Sequence, residues 1–174
     1  EFATLSQKET RDGLMNQMIM VIGAFMLLSL LTVSVNQSLI NKTSSTYETE
    51  SVIAATTMAQ ALLQEVILRD FDENTRNYAI VATPAGLTTV AHLGKDGETY
   101  PNFDDLDDYK GFLRYDTIKV GIFKSNVYVV YSGNGSITDS STVPTFYKKV
   151  TVSVVNKDST KMWTPISLST VITY

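Results

Sequence analysis

Four aspartates within five positions, Asp104, Asp105, Asp107 and Asp108, form the densest set of potential ligands in this sequence. Hard cations take six to eight oxygens, and closely spaced carboxylates are one way to supply them. The spacing here, Asn102-Phe-Asp-Asp-Leu-Asp-Asp-Tyr109, is not the alternating D-x-D-x-D-G calcium loop, and no glutamate follows at the bidentate position. It therefore reads as a solvated acidic turn, with those four aspartates the only calcium candidates. A nucleophilic site fares worse. The chain has no cysteine and one histidine, His92. Serines and aspartates to complete a Ser-His-Asp set are plentiful, but there is no G-x-S-x-G elbow, and His92 falls in a strand-like run. Trp163, Tyr128, Tyr131 and Phe146 would serve a recognition surface, yet aromatics also fill ordinary β cores. Asn36-Gln-Ser, Asn41-Lys-Thr and Asn134-Gly-Ser match the glycosylation pattern, a weak signal in a chain so rich in Ser, Thr and Asn. The expectation is no catalytic centre, no metal and no cofactor.

The elements say more than the side chains do. In a chain of 174 residues, the stretch Leu14 to Asn41 carries no charge, and Met18 to Val35 is apolar but for Gly, Ser and Thr. At a helical rise, that apolar heart spans roughly 27 Å, close to the hydrocarbon thickness of a bilayer. Met18, Ile22, Gly23, Phe25, Met26, Leu27, Leu30, Leu31 and Val35 are the residues expected to face lipid or neighbouring helices. Gly23 would let another helix approach closely. Lys8 and Arg11 precede the span and only Lys42 follows closely, which favours a cytoplasmic N-terminus.

Helical periodicity then continues. Val52, Ala55, Ala59, Leu62 and Val66 fall on one stripe, and Arg69 to Asn74 reads as the exit. Gln37 to Tyr47, polar and rich in Ser and Thr, is where the helix would loosen. The rest alternates strand and turn signals. Tyr78–Ala82 and Leu87–Leu93 are short strand candidates, Gly94–Gly97 a turn, and Thr117–Phe123 with Val127–Tyr131 a hairpin through Lys124–Asn126. Val150, Val152 and Val154 alternate with polar residues, as do Ile166, Leu168 and Ile172, so each strand should bury one face. Val150, Val152 and Val154 are expected to pack near Leu62 and Val66. The organisation predicted is a polar segment 1–13, an apolar helix 14–47, an amphipathic helix 48–73 and a β-rich domain 74–174. The fold class is α+β, a long N-terminal helix packed on a C-terminal antiparallel sheet. With a net charge of −4 and an isoelectric point near 4.9, nucleic acid is an unsuitable partner.

This layout resembles the type IV pilin-like proteins: pilins, minor pilins and pseudopilins. Phe103-Asp-Asp-Leu-Asp-Asp-Tyr-Lys-Gly111, Tyr147-Lys-Lys-Val-Thr-Val-Ser-Val154 and the ending Ile166-Ser-Leu-Ser-Thr-Val-Ile-Thr173 are similar to segments of that group's β domains. Gly13-Leu14 resembles the site at which such chains are cut. Met18, however, stands where they normally carry a glutamate, so the usual neutralisation of a neighbour's new N-terminus does not carry over. The resemblance implies a lollipop-shaped subunit, held in the cell membrane before assembly and then placed in an extracellular filament for adhesion or motility. Its partners would be identical subunits in a helical homopolymer. The alternative is a membrane-anchored extracytoplasmic binding domain, or a pseudopilin that builds no long filament.

Overall fold

No proline or glycine interrupts the sequence from Ala24 to Thr83, and most of that run is one helix. The structure, a computed structural model, describes residues 2–158 and 164–174, with side chains from residue 11 onward; Trp163 lies outside the described residues. Helix α1 spans Phe2–Ile67. Residues 1–46 and 47–174 are two compact units.

In the first unit α1 begins earlier than the composition suggests, because residues 2–13 are helical and not a separate segment. It does not loosen after Gln37 either. Thr43 and Thr46 turn their hydroxyls back onto the carbonyls of Leu39 (2.9 Å) and Lys42 (3.1 Å). Bonded there, those hydroxyls no longer compete for the backbone, and the helix tolerates them.

The second unit is an α+β domain in which the end of α1 packs on a four-stranded antiparallel sheet. The strands are β1 (Leu113–Ile118), β2 (Gly121–Tyr131), β3 (Tyr147–Asn156) and β4 (Ile166–Thr173), in spatial order β1-β2-β3-β4. Val127 pairs with Val152, and Val152 with Leu168, so three apolar residues share one rung. Ala55, Ala59, Leu62 and Val66 are wholly buried in one core with Val150, Val152 and Val154. Ile166, Leu168 and Ile172 pack against it. The stripe on α1 begins one residue earlier than its periodicity implied. Ser51 is buried, where it accepts a hydrogen bond from the Asn156 amide at 2.8 Å, and Val52 is exposed.

Four expectations need correction. The helix stops at Ile67, short of residue 73, where Arg69 N bonds to the Val66 carbonyl and tightens the last turn. Asp70 is then drawn away: its amide donates to Asp104 O and its carbonyl accepts from Leu106 N. The candidate strands at 78–82 and 87–93 do not form. That stretch holds two short 3-10 turns, Glu73–Tyr78 and Pro84–Gly86, and Asp72 holds it by accepting from the amides of Asn74 and Thr88. His92 consequently lies in an exposed turn, 2.7 Å from the Thr89 hydroxyl. Lys124–Asn126 is not a hairpin turn but the middle of β2, and the chain reverses at Lys119–Val120. Gly121, at φ +139°, has Asn156 where a Cβ would stand, so no side chain fits there. Finally, the acidic loop is not a solvated turn.

Candidate functional site

Two surfaces stand out, one apolar and one charged. The apolar one is the first unit itself. Met18, Ile22, Phe25, Met26, Leu27, Leu30, Leu31 and Val35 are all exposed, at 50% or more of their full surface. They face every direction around the helix, where an amphipathic helix would show them on one side only. Among the described residues, and apart from the helix's own adjacent backbone, nothing lies within 4 Å of the position of a Cβ on Gly23. The helix carries an 18-residue window of mean hydropathy 2.5 with none of it buried, long and apolar enough to cross a membrane. A patch of this size is far larger than soluble monomers ordinarily show to water.

The charged cluster is built around the acidic loop, and the four aspartates do not converge on one point. Asp105 and Asp107 turn inward. Asp105 Oδ1 accepts from the amides of Asp107 (2.9 Å) and Asp108 (3.1 Å), which folds residues 107–109 into a 3-10 turn. Beneath it lies Lys148, fully buried. Lys148 Nζ donates to Phe71 O at 2.7 Å, Asp72 Oδ2 at 2.9 Å and Asp107 Oδ1 at 2.5 Å. The rings of Phe71 and Tyr131 flank it, with centroids at 4.8 and 5.3 Å. All three ammonium protons are thus engaged, as a buried cation requires. Asp72 also accepts from Thr88 N, Thr88 Oγ1 and Asn74 N, and the Tyr131 hydroxyl reaches its Oδ2 at 3.1 Å. One lysine therefore ties the exit of α1, the loop at Thr88, the acidic turn and two strands together.

Burial would raise the Asp72 carboxyl, but the hydrogen bond and charge of Lys148, joined by the Thr88 and Asn74 amides, outweigh it and hold it below its ordinary value. Asp107 is raised, because burial and the charge of Asp72 exceed what Lys148 returns. Asp105 is pushed up to about 8, first by burial and then by the charge of Asp107. Around neutral pH it keeps its proton, and its carboxyl hydrogen-bonds to Asp107. Burial also raises Tyr131.

The other two aspartates face a second group. Asp104 forms an ion pair with Arg76, which also binds Glu73 at 2.8 Å. Asp108 is buried; its Oδ2 accepts from Asp104 N at 3.2 Å, and its carboxyl hydrogen-bonds to Glu98. Asp96, Glu98 and Asp108 bring carboxylate oxygens within 4.8 Å of one another. Glu98 is raised to about 7, chiefly by its hydrogen bond with Asp108, then by burial and Asp104. The Arg76 guanidinium, beside Asp104, Glu73 and Glu98, offsets part of the repulsion among these groups.

Of the aromatic candidates, Tyr128 is exposed, whereas Tyr131 is buried against Lys148 and Phe146 stacks on Tyr174 at 5.6 Å. Sequence reasoning missed Lys148, although the signal was present: it shares the parity of Val150, Val152 and Val154, and so the inward face of β3. Glu98 and Arg76 had no local signal. No family model, no curated protein and no solved structure matches this chain.

Proposed function

We propose that the protein is a structural subunit of an extracellular helical filament, held in the membrane by the first half of α1 before assembly. Its role is mechanical and adhesive, with no catalytic step, and its partners are identical copies. The observation that carries this reading is the uncharged stretch of α1 from Leu14 to Asn41, whose apolar side chains are exposed on all sides. A surface that satisfies lipid also satisfies a bundle of like helices, so the same residues serve both states. Repeated heterologous contacts between identical subunits that do not close into a ring generate an open fibre. The pilin-like architecture, an apolar helix continued into a helix-on-sheet domain, supports it further.

Leu27→Asp tests it. A charge at the centre of the span costs about 2.5 to 3.5 kcal/mol on insertion scales, and every subunit of a fibre would carry it. Filament yield should collapse while the sheet domain keeps its circular dichroism. Normal filaments in normal yield would overturn the shared-core reading. Discrete membrane-bound monomers from the unaltered protein would favour an anchored binding domain instead.

A further inference from the structure

We infer that Lys148 and Asp107 join in an intramolecular amide bond, with Asp105 as the proton carrier. This goes beyond the filament reading and stands independently of it.

The geometry is that of two reactants held together in the buried interior. Lys148 Nζ lies 2.5 Å from Asp107 Oδ1, with the carboxyl carbon one bond further on. Both side chains are at least 96% buried, and Phe71 and Tyr131 cover the amine. Positioned pairs of this kind react with effective molarities far above any solution concentration. Removing water also favours the product, because an amide is cheaper to bury than an ion pair.

Two carboxylates touch Lys148, and their surroundings choose between them. Asp72 has both oxygens occupied: Oδ1 by Thr88 N, Thr88 Oγ1 and Asn74 N, and Oδ2 by Lys148, with the Tyr131 hydroxyl at 3.1 Å shared between Oδ2 and Thr88 O. So many donors hold it as a carboxylate, the form that resists attack. Among the described residues, the Asp107 carboxyl meets Lys148 and the carboxyl of Asp105. Asp105 is itself fixed, since its Oδ1 accepts the amides of Asp107 and Asp108 and leaves the other oxygen free for its neighbour.

The step balances without a further reagent. A proton passes from Nζ to Asp107 across their contact, and the neutral amine adds to Asp107 Cγ. Asp105 gives its proton to the carboxyl oxygen as the Nζ–Cγ bond forms, and recovers one from the nitrogen. One Cγ–O bond then breaks, and that oxygen departs as water. Ammonium and carboxylate become amide and water, with no change of net charge. The product would clamp the acidic turn to β3 across 41 residues of chain, a restraint on the part of the domain joined to the exit of α1.

Intact-mass spectrometry of the full-length protein, followed by tandem spectra of its proteolytic fragments, tests this. The expected mass is lower than that of the sequence by about 18 Da, one water, with a branched peptide joining residues 107 and 148. In Asp107→Asn the loss should become about 17 Da, because ammonia leaves in place of water. Asp105→Asn keeps the oxygen that binds the two amides, and should show the full mass with an unaltered circular dichroism spectrum. The full mass in the unaltered chain overturns the bond. A branch at Asp72, or a dehydration located at Asp96-Gly97, overturns it equally. An Asp105→Asn protein that still loses water at the original rate overturns the part given to Asp105.

Discussion

Val152 sits at the centre of the rung that joins three strands, so truncating it probes the packing of the sheet on the helix directly. The side chain is fully buried, paired with Val127 on one side and Leu168 on the other. Val152→Ala deletes two methyl groups, worth about 0.8 kcal/mol each in transfer from water. A residual cavity of about 30 Å³ adds about 0.7 kcal/mol at about 24 cal/mol per Å³, for a total near 2.3 kcal/mol. Thr151, the next residue, points to the other face, where its hydroxyl lies 2.8 Å from that of Ser169. Losing that partly buried hydrogen bond costs about 0.5 to 1 kcal/mol. At roughly 4 °C per kcal/mol for a domain of this size, the melting temperature should fall by about 9 °C in Val152→Ala and by about 2 to 4 °C in Thr151→Ala. Near-UV circular dichroism of the full-length protein in detergent reads both. Equal shifts, or a larger one for Thr151→Ala, would mean that β3 presents the wrong face to the helix.

The remaining expectations concern the charged cluster. Glu98 is raised from 4.5 to about 7, so the folded protein binds its proton more tightly than the unfolded chain does. The contribution of Glu98 to stability should therefore be full below about pH 4.5 and be lost as pH rises through 7, with Glu98→Gln flattening that slope in urea titrations at stepped pH. Asp105, raised to about 8, extends the decline toward higher pH by the same sign, and Asp105→Asn should remove that extension. Calcium should do little. With Asp107 committed to Lys148, Asp105 to the amides of Asp107 and Asp108, and Asp104 to Arg76, millimolar calcium added after EDTA at fixed ionic strength should move the melting temperature by no more than about 1 °C. A rise of many degrees, abolished by Asp108→Asn, would identify a cation site.

Local periodicity carried the parts of the fold that could be read from the chain. The helix over Leu14–Val66 and the alternation of β3 and β4 are patterns of neighbours, and apart from Ser51 and Val52 the buried faces followed from parity or helical spacing. What escaped was decided at a distance. Tyr78–Ala82 and Leu87–Leu93 have strand-like residues but no strand beside them, and Asp72 holds that stretch through Asn74 and Thr88. Lys124-Ser-Asn126 carries turn residues, yet Ser125 is buried in β2 because its neighbours on both sides keep the ladder running. The acidic loop reads as solvated until Lys148, 41 residues later, is placed beneath it. Helix α1 ends early for the same kind of reason, since Asp70 finds its partners at Asp104 and Leu106.

Electron microscopy of the purified full-length protein, with helical reconstruction of any fibres, tests the central claim most directly. The expected result is continuous filaments in which residues 14–47 of neighbouring copies pack as a central bundle of helices, with the sheet domains outside. A uniform population of monomers or dimers would contradict it, as would fibres held together by the sheet domains alone with the apolar helices left outside the core.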